Sequence, residues 1–107
     1  MRSTLEDLLA RLRDDMGVPV YANAPRTRPP AYVLVDPVGG TPSLDALHHD
    51  YALQAWARSY GDAEALVREC CDAMRSYGAT PYAVPVPLGF DGTYFWWQAT
   101  FTVHALW

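Results

Sequence analysis

The chain has 107 residues, 50% of them hydrophobic and 19% charged, with a formal net charge of −4. That length and balance describe one globular domain, 1–107, and exclude a disordered chain. All eight basic residues are Arg and lie scattered, which excludes the clustered basic surface needed to displace counterions from nucleic-acid phosphates.

Ser3 followed by Glu6 is a capping-box pattern opening a helix over about residues 4–16. Leu5, Leu8, Leu9, Leu12 and Met16 form one apolar stripe, and Asp7–Arg11 and Arg11–Asp15 stand at pairing distance opposite it. Gly17 ends the helix. The start, MRSTLEDLLARLRDD, is too acidic for a signal peptide, and no apolar run nears the roughly 20 residues of a membrane span. The expected place of synthesis is therefore intracellular, with no membrane partner.

Val18 to Ala22 reads as a short strand that Pro19 confines to an edge or start position. Asn23 to Pro30 is a loop, in which Arg26 and Arg28 read as a solvated turn. Ala31 to Asp36 is a strand that Pro37 should stop. Val38 to Leu47, rich in Gly, Pro and Ser, reads as a connection. From His48 or His49 to Arg58 a strand alternates, with Tyr51, Leu53, Ala55 and Ala57 opposing Asp50, Gln54 and Trp56. Asp62 is placed as the cap of a second helix reaching Ser76, its buried face formed by Ala63, Leu66, Val67, Cys70, Met74 and Tyr77. Gly78 suits the left-handed position beyond the helix end. Tyr82 to Leu88 is a strand whose Pro85 and Pro87 remove two donors on one side, so it pairs along one edge. Asp91-Gly92 is a hairpin signal leading into a long last strand.

The order is α-β-β-β-α-β-β. It implies an α+β fold in which two amphipathic helices cover one face of a mainly antiparallel sheet of four to five strands. The other face is left available.

Chemistry is hard to find. His48 and His49 face opposite sides of a strand, His104 lies on another, and no paired metal-ligand spacing is present. Cys70 and Cys71 are adjacent on a helix, so a relaxed disulfide between them is excluded, and Cys70 falls on the buried stripe. No Ser stands in a nucleophile-elbow pattern. Gly39-Gly40 lacks the Lys and helix of a phosphate cradle. The carboxylate pairs Asp14-Asp15 and Glu69/Asp72 lie on solvent stripes. No catalytic residue, cofactor or metal is expected.

The last strand is more informative. Phe95, Trp97, Ala99, Phe101, Val103 and Ala105 form a core face; Tyr94, Trp96, Gln98, Thr100, Thr102 and His104 form the other. If the strand around Trp56 lies alongside, Gln54, Trp56, Trp96, Gln98, Thr100, Thr102 and His104 share a surface mixing large aromatics with polar groups. Such a surface suits contact with another subunit or partner. The alternatives are that a loop of the same subunit covers it, or that Trp96 and Trp97 divide between two cores.

The amphipathic first helix, the Val-Pro-Val-Tyr segment at 18–21 and the strand opening at Pro30, Tyr32 and Val33 form one part of a larger pattern. The alternating strand into a capped helix (49–76), a Pro-rich strand, Asp91-Gly92 and the closing strand complete it. In segment order this resembles the tail terminator, or tail completion, proteins of long-tailed bacteriophages. The resemblance implies a non-enzymatic virion assembly subunit in the tail or neck, built in the host cytoplasm. It implies a homo-oligomeric ring, taken as hexameric, that caps the tail tube, stops its polymerisation and offers the head a docking surface. Implied partners are further copies of the chain, the tail tube protein and head–tail connector proteins, with genomic DNA passing through without specific binding. The loop carrying Gly39, Gly40, Thr41, Ser43 and Asp45 is the candidate for touching tube or head. Another neck protein or tail assembly factor is the neighbouring alternative, and a small-molecule-binding α+β domain the more distant one.

Overall fold

A computed structural model of the chain describes residues 4–42 and 47–105. Helix α1 (Thr4–Asp15) buries Leu8, Leu9 and Leu12, with Met16 just beyond. Its expected cap, Ser3, lies outside the described residues. On the outer face Arg11 pairs with Asp7 at 3.3 Å, whereas Asp15 accepts the Tyr77 hydroxyl at 2.5 Å, tying the two helix ends together. Burial and that carboxylate push the Tyr77 hydroxyl pKa up.

Strand β1 (Val20–Tyr21) is short and lies at an edge, parallel to β2 (Ala31–Pro42), with Val20 opposite Val33. Strands β3 (Leu47–Ala57), β4 (Thr80–Phe90) and β5 (Phe95–Ala105) complete a five-stranded sheet in the order β1-β2-β3-β5-β4. All pairs but the first are antiparallel. Helix α2 (Tyr60–Ser76) joins β3 to β4. The fold is thus the α+β arrangement that the hydrophobic periods imply, in the same element order.

Three local expectations are corrected. Strand β2 does not stop at Pro37. It shifts register between Pro37 and Gly39 and stays paired with β3 as far as Pro42. A bulge lets the chain absorb a residue that cannot donate, and Gly39 and Gly40 become ladder positions in place of a connection. The cap of α2 is Ser59, extended at φ −124 and ψ 153, whose Oγ accepts the Asp62 amide at 3.1 Å. Asp62 stands in the first turn, where a carboxylate meets the positive helix end. Strand β4 also runs beyond Tyr82–Leu88 at both ends.

The Pro-rich strand does lie at the edge, and Gly78, at φ 79, reverses the chain after α2, with the Ala79 amide donating to Met74 at 3.1 Å. The core forms between helices and sheet. Leu8 and Leu12 from α1 and Leu66, Val67, Cys70 and Met74 from α2 meet Val33, Val35, Leu53, Ala55, Ala99 and Phe101. Burial pushes the Cys70 thiol pKa far up, so it packs as a small hydrophobe and stays unreactive.

Candidate functional site: an aromatic and polar sheet face

Because β3 and β5 are neighbours, the face opposite the helices acquires a row of aligned positions. Tyr32, Trp56, Trp96 and Gly89 stand side by side across four strands. The Trp56 and Trp96 indoles stack with centroids 4.3 Å apart and planes 13° from parallel. Tyr32 lies parallel to Trp56 at 5.8 Å, and Tyr94 meets Tyr32 edge-on at 5.7 Å. Gly89 leaves room for this. A Cβ there would sit 3.2 Å from the Trp96 ring, closer than ordinary packing.

The next row is polar. The Trp56 indole N–H donates to Gln54 Oε1 at 3.1 Å, and Gln54 Nε2 donates to Gln98 Oε1 at 3.1 Å. Further along, Thr102 Oγ1 donates to Asp50 Oδ1 at 2.6 Å, so Asp50, which the alternation put on this face beside Gln54 and Trp56, joins the candidate surface. Thr100 is half-buried opposite Ala52, and His104 pairs in backbone register with His48. Six of the expected face residues (Gln54, Trp56, Trp96, Gln98, Thr100 and Thr102) are therefore brought together, all half-buried. Trp97 points to the helix side and meets Tyr60 at 5.4 Å, so the two consecutive tryptophans serve opposite faces.

One end of this face is closed by the chain itself. The loop before β2 folds over it: Arg28 pairs with Asp91 at 2.6 Å and stacks its guanidinium 4.1 Å above the Tyr94 ring. Tyr94 then donates its hydroxyl to the Pro29 carbonyl at 2.7 Å. Tyr32 and Tyr94 are 1% and 2% exposed as a result, while both indoles stay half-buried. Arg28 is therefore not a solvated turn residue. Only the Asp91-Gly92 turn signal hinted at this strap, since its two halves are 63 residues apart in sequence.

Asp91 is the anchor. The Tyr94 amide, the Arg28 guanidinium and the Thr93 amide stabilise its carboxylate and lower its pKa from 3.8 to about 2. A pKa lowered by folding contributes stability above pH 3.8 that is lost as pH falls toward 2. Asp91→Asn should thus be less stable than the wild-type chain at neutral pH. The difference should close across that window in urea denaturation at stepped pH, and a gap independent of pH would show that the ion pair contributes nothing.

The second expected contact segment is divided. Gly39, Gly40 and Thr41 pair with Asp50, His49 and His48 in the β2–β3 ladder, whereas Ser43 and Asp45 lie outside the described residues. Among the described residues no group of three His, Cys, Asp or Glu side chains is placed to hold a metal ion. No helix among them is long and apolar enough to cross a membrane.

A face of stacked indoles and amides joined to one another offers flat apolar area beside hydrogen-bonding groups. Compared with known families, the chain matches the one described as Tail completion protein gp17 over residues 6–91. The chain belongs to this tail completion family. The match runs from α1 through β4 to the Asp91 turn and ends before β5. A search of curated proteins finds no match. A phage tail completion protein is a structural component of tail assembly, which agrees with the surface described.

Proposed function

We propose that this tail completion protein acts as a tail terminator: a ring, hexameric on this reading, that caps the tail tube, halts its polymerisation and offers the head a docking surface. The family match over residues 6–91 carries the proposal. Gln54, Trp56, Trp96, Gln98, Thr100, Thr102 and His104 are proposed to be covered by a second copy or a neighbouring virion component. The segment carrying Gly39, Gly40, Thr41, Ser43 and Asp45 is proposed to touch tube or head. Six copies at −4 each bring a formal charge of −24, which disfavours counterion-release attraction to DNA moving through the ring. The chain then acts in the host cytoplasm during assembly and in the neck of the finished particle. No catalysis is needed for any of these roles.

Phage lacking the protein should make abnormally long tails or tails without heads under electron microscopy. Tails of normal length that fail to join would favour the neighbouring role of a head–tail connector. Normal virions would remove the protein from tail completion.

A further inference from the structure

Exposed large apolar side chains among the described residues are not spread over the surface. Four of the six lie on β4 at one lateral end of the sheet, Tyr60 opens α2 beside them, and Val38 stands on β2 toward the other end. At one end stand Val84, Val86, Leu88 and Phe90 of β4, 75%, 41%, 47% and 53% exposed. Beside them Tyr60, Pro87, Phe90, Phe95, Trp96 and Trp97 line an apolar groove of 240 Å³, which thus borders the aromatic face at Trp96. At the other end Val38, 53% exposed, lies on β2 beyond Leu34, where β1 stops covering that edge.

Strand β4 is not shaped to add another strand. Its eleven residues oppose only eight of β5, Phe95 to Thr102, and its three register shifts each involve a proline: Pro81, Pro85 or Pro87. Bulges and prolines spoil the flat ladder that strand addition needs and leave side chains as the means of contact. No charged residue occurs in Thr80–Phe90, nor in the Pro37–Pro42 stretch of β2. Helix surfaces differ: ion pairs Asp7–Arg11, Glu64–Arg68 and Asp72–Arg75 keep them solvated.

Two copies that each carry −4 repel one another except where their surfaces are neutral. A closed ring also requires two different patches on opposite sides of each subunit. The β4 strip and the uncharged β2 stretch that follows exposed Asp36 meet both conditions, because the sheet order puts β4 and β1/β2 at opposite ends. We propose, resting on the ring reading above, that consecutive subunits meet edge to edge. The β4 strip and groove of one copy take the β2 edge around Val38 of the next. The occupant of the groove is thus a second copy of this chain.

Single-charge variants test this, with assembly read by native mass spectrometry and electron microscopy on concentrated protein and on tail tubes lacking it. Val84→Asp and Val38→Asp should each lower ring yield about tenfold or more and leave the circular dichroism spectrum unchanged, since both positions are exposed. Mixed in equal amounts, the two variants should yield dimers and nothing larger, because only one intact junction can form between them. Dimers from Val38→Asp alone would mean that β4 pairs with itself, overturning the proposal. Rings formed as well by both variants as by the wild-type chain would overturn the edge assignment and leave the ring reading standing. A wild-type chain that stays monomeric even on tube ends would overturn both.

Discussion

Replacing Tyr32 with Ala should destabilise the subunit by about 3–5 kcal/mol, the usual cost of emptying a large buried aromatic site. The ring is 1% exposed yet lies on the face away from the main core, where it packs in the aromatic cluster and its hydroxyl hydrogen-bonds with Arg28. It is parallel to Trp56 and edge-on to both Tyr94 and Tyr21, the latter at 6.2 Å. Burial pushes its hydroxyl pKa up while the neighbouring Arg28 pulls it down. Tyr32→Phe keeps every ring contact and should cost about 1 kcal/mol. In a domain of this size the Ala variant should melt more than about 10 °C below the wild-type chain. The same variant should loosen the Arg28 strap, visible as faster amide exchange at Thr93 and Tyr94. An Ala variant as stable as the Phe variant would show that the cluster is an accident of packing.

Most of the fold was legible because its signals are local. The alternation of β3 and β5 alone fixes which residues face the helices, and the observed pairing of Gln54 with Gln98 and Trp56 with Trp96 follows once those strands are neighbours. Pro85 and Pro87 place β4 at an edge for a reason that needs no tertiary information: each lacks a donor. Illegible features depend on what a distant segment supplies. Pro37 ends a strand in isolation, but against the full length of β3 a bulge costs less than abandoning four further ladder pairs. Ser59 is a different case: Ser59-x-x-Asp62 is itself a local cap pattern, and the extended Ser59 with Asp62 in the first turn fulfils it. The Arg28–Asp91 strap is the clearest case, joining two turns with no shared pattern.

The candidate site divides in the same way. Its strand residues were readable from the period-2 pattern, and Asp50 belongs to it by the same parity. Tyr32 was hidden because β2 is apolar on both sides, so no alternation marks its face. The segment order pointed to a phage tail family independently of the face, and the family match covers that order up to Asp91. The family match supports the assembly role through the order of elements, and the aromatic face is the separate observation on which the interface proposed above is built.

Changing Trp56 and Trp96 together to Ser should abolish productive assembly while leaving the subunit folded. The pair contributes stacking worth about 0.5–1.5 kcal/mol beyond its buried area, a loss the main core can tolerate because neither indole belongs to it. Assembly is more sensitive. An aromatic anchor at the centre of an interface typically contributes upward of about 2 kcal/mol, and every copy in the assembly carries that loss on this face, apart from the edge contacts between neighbours. The Trp56 indole N–H also orients Gln54, which in turn holds Gln98, so the double change disorders the polar row as well. Phe at both positions retains flat rings and should recover part of the assembly yield, which separates a packing role from general damage. The measurement is complementation of a phage lacking the protein, scored as tail length and head attachment, beside circular dichroism of the purified variant. Folded Ser variant that builds full-length, head-joined particles would show that no partner covers these indoles.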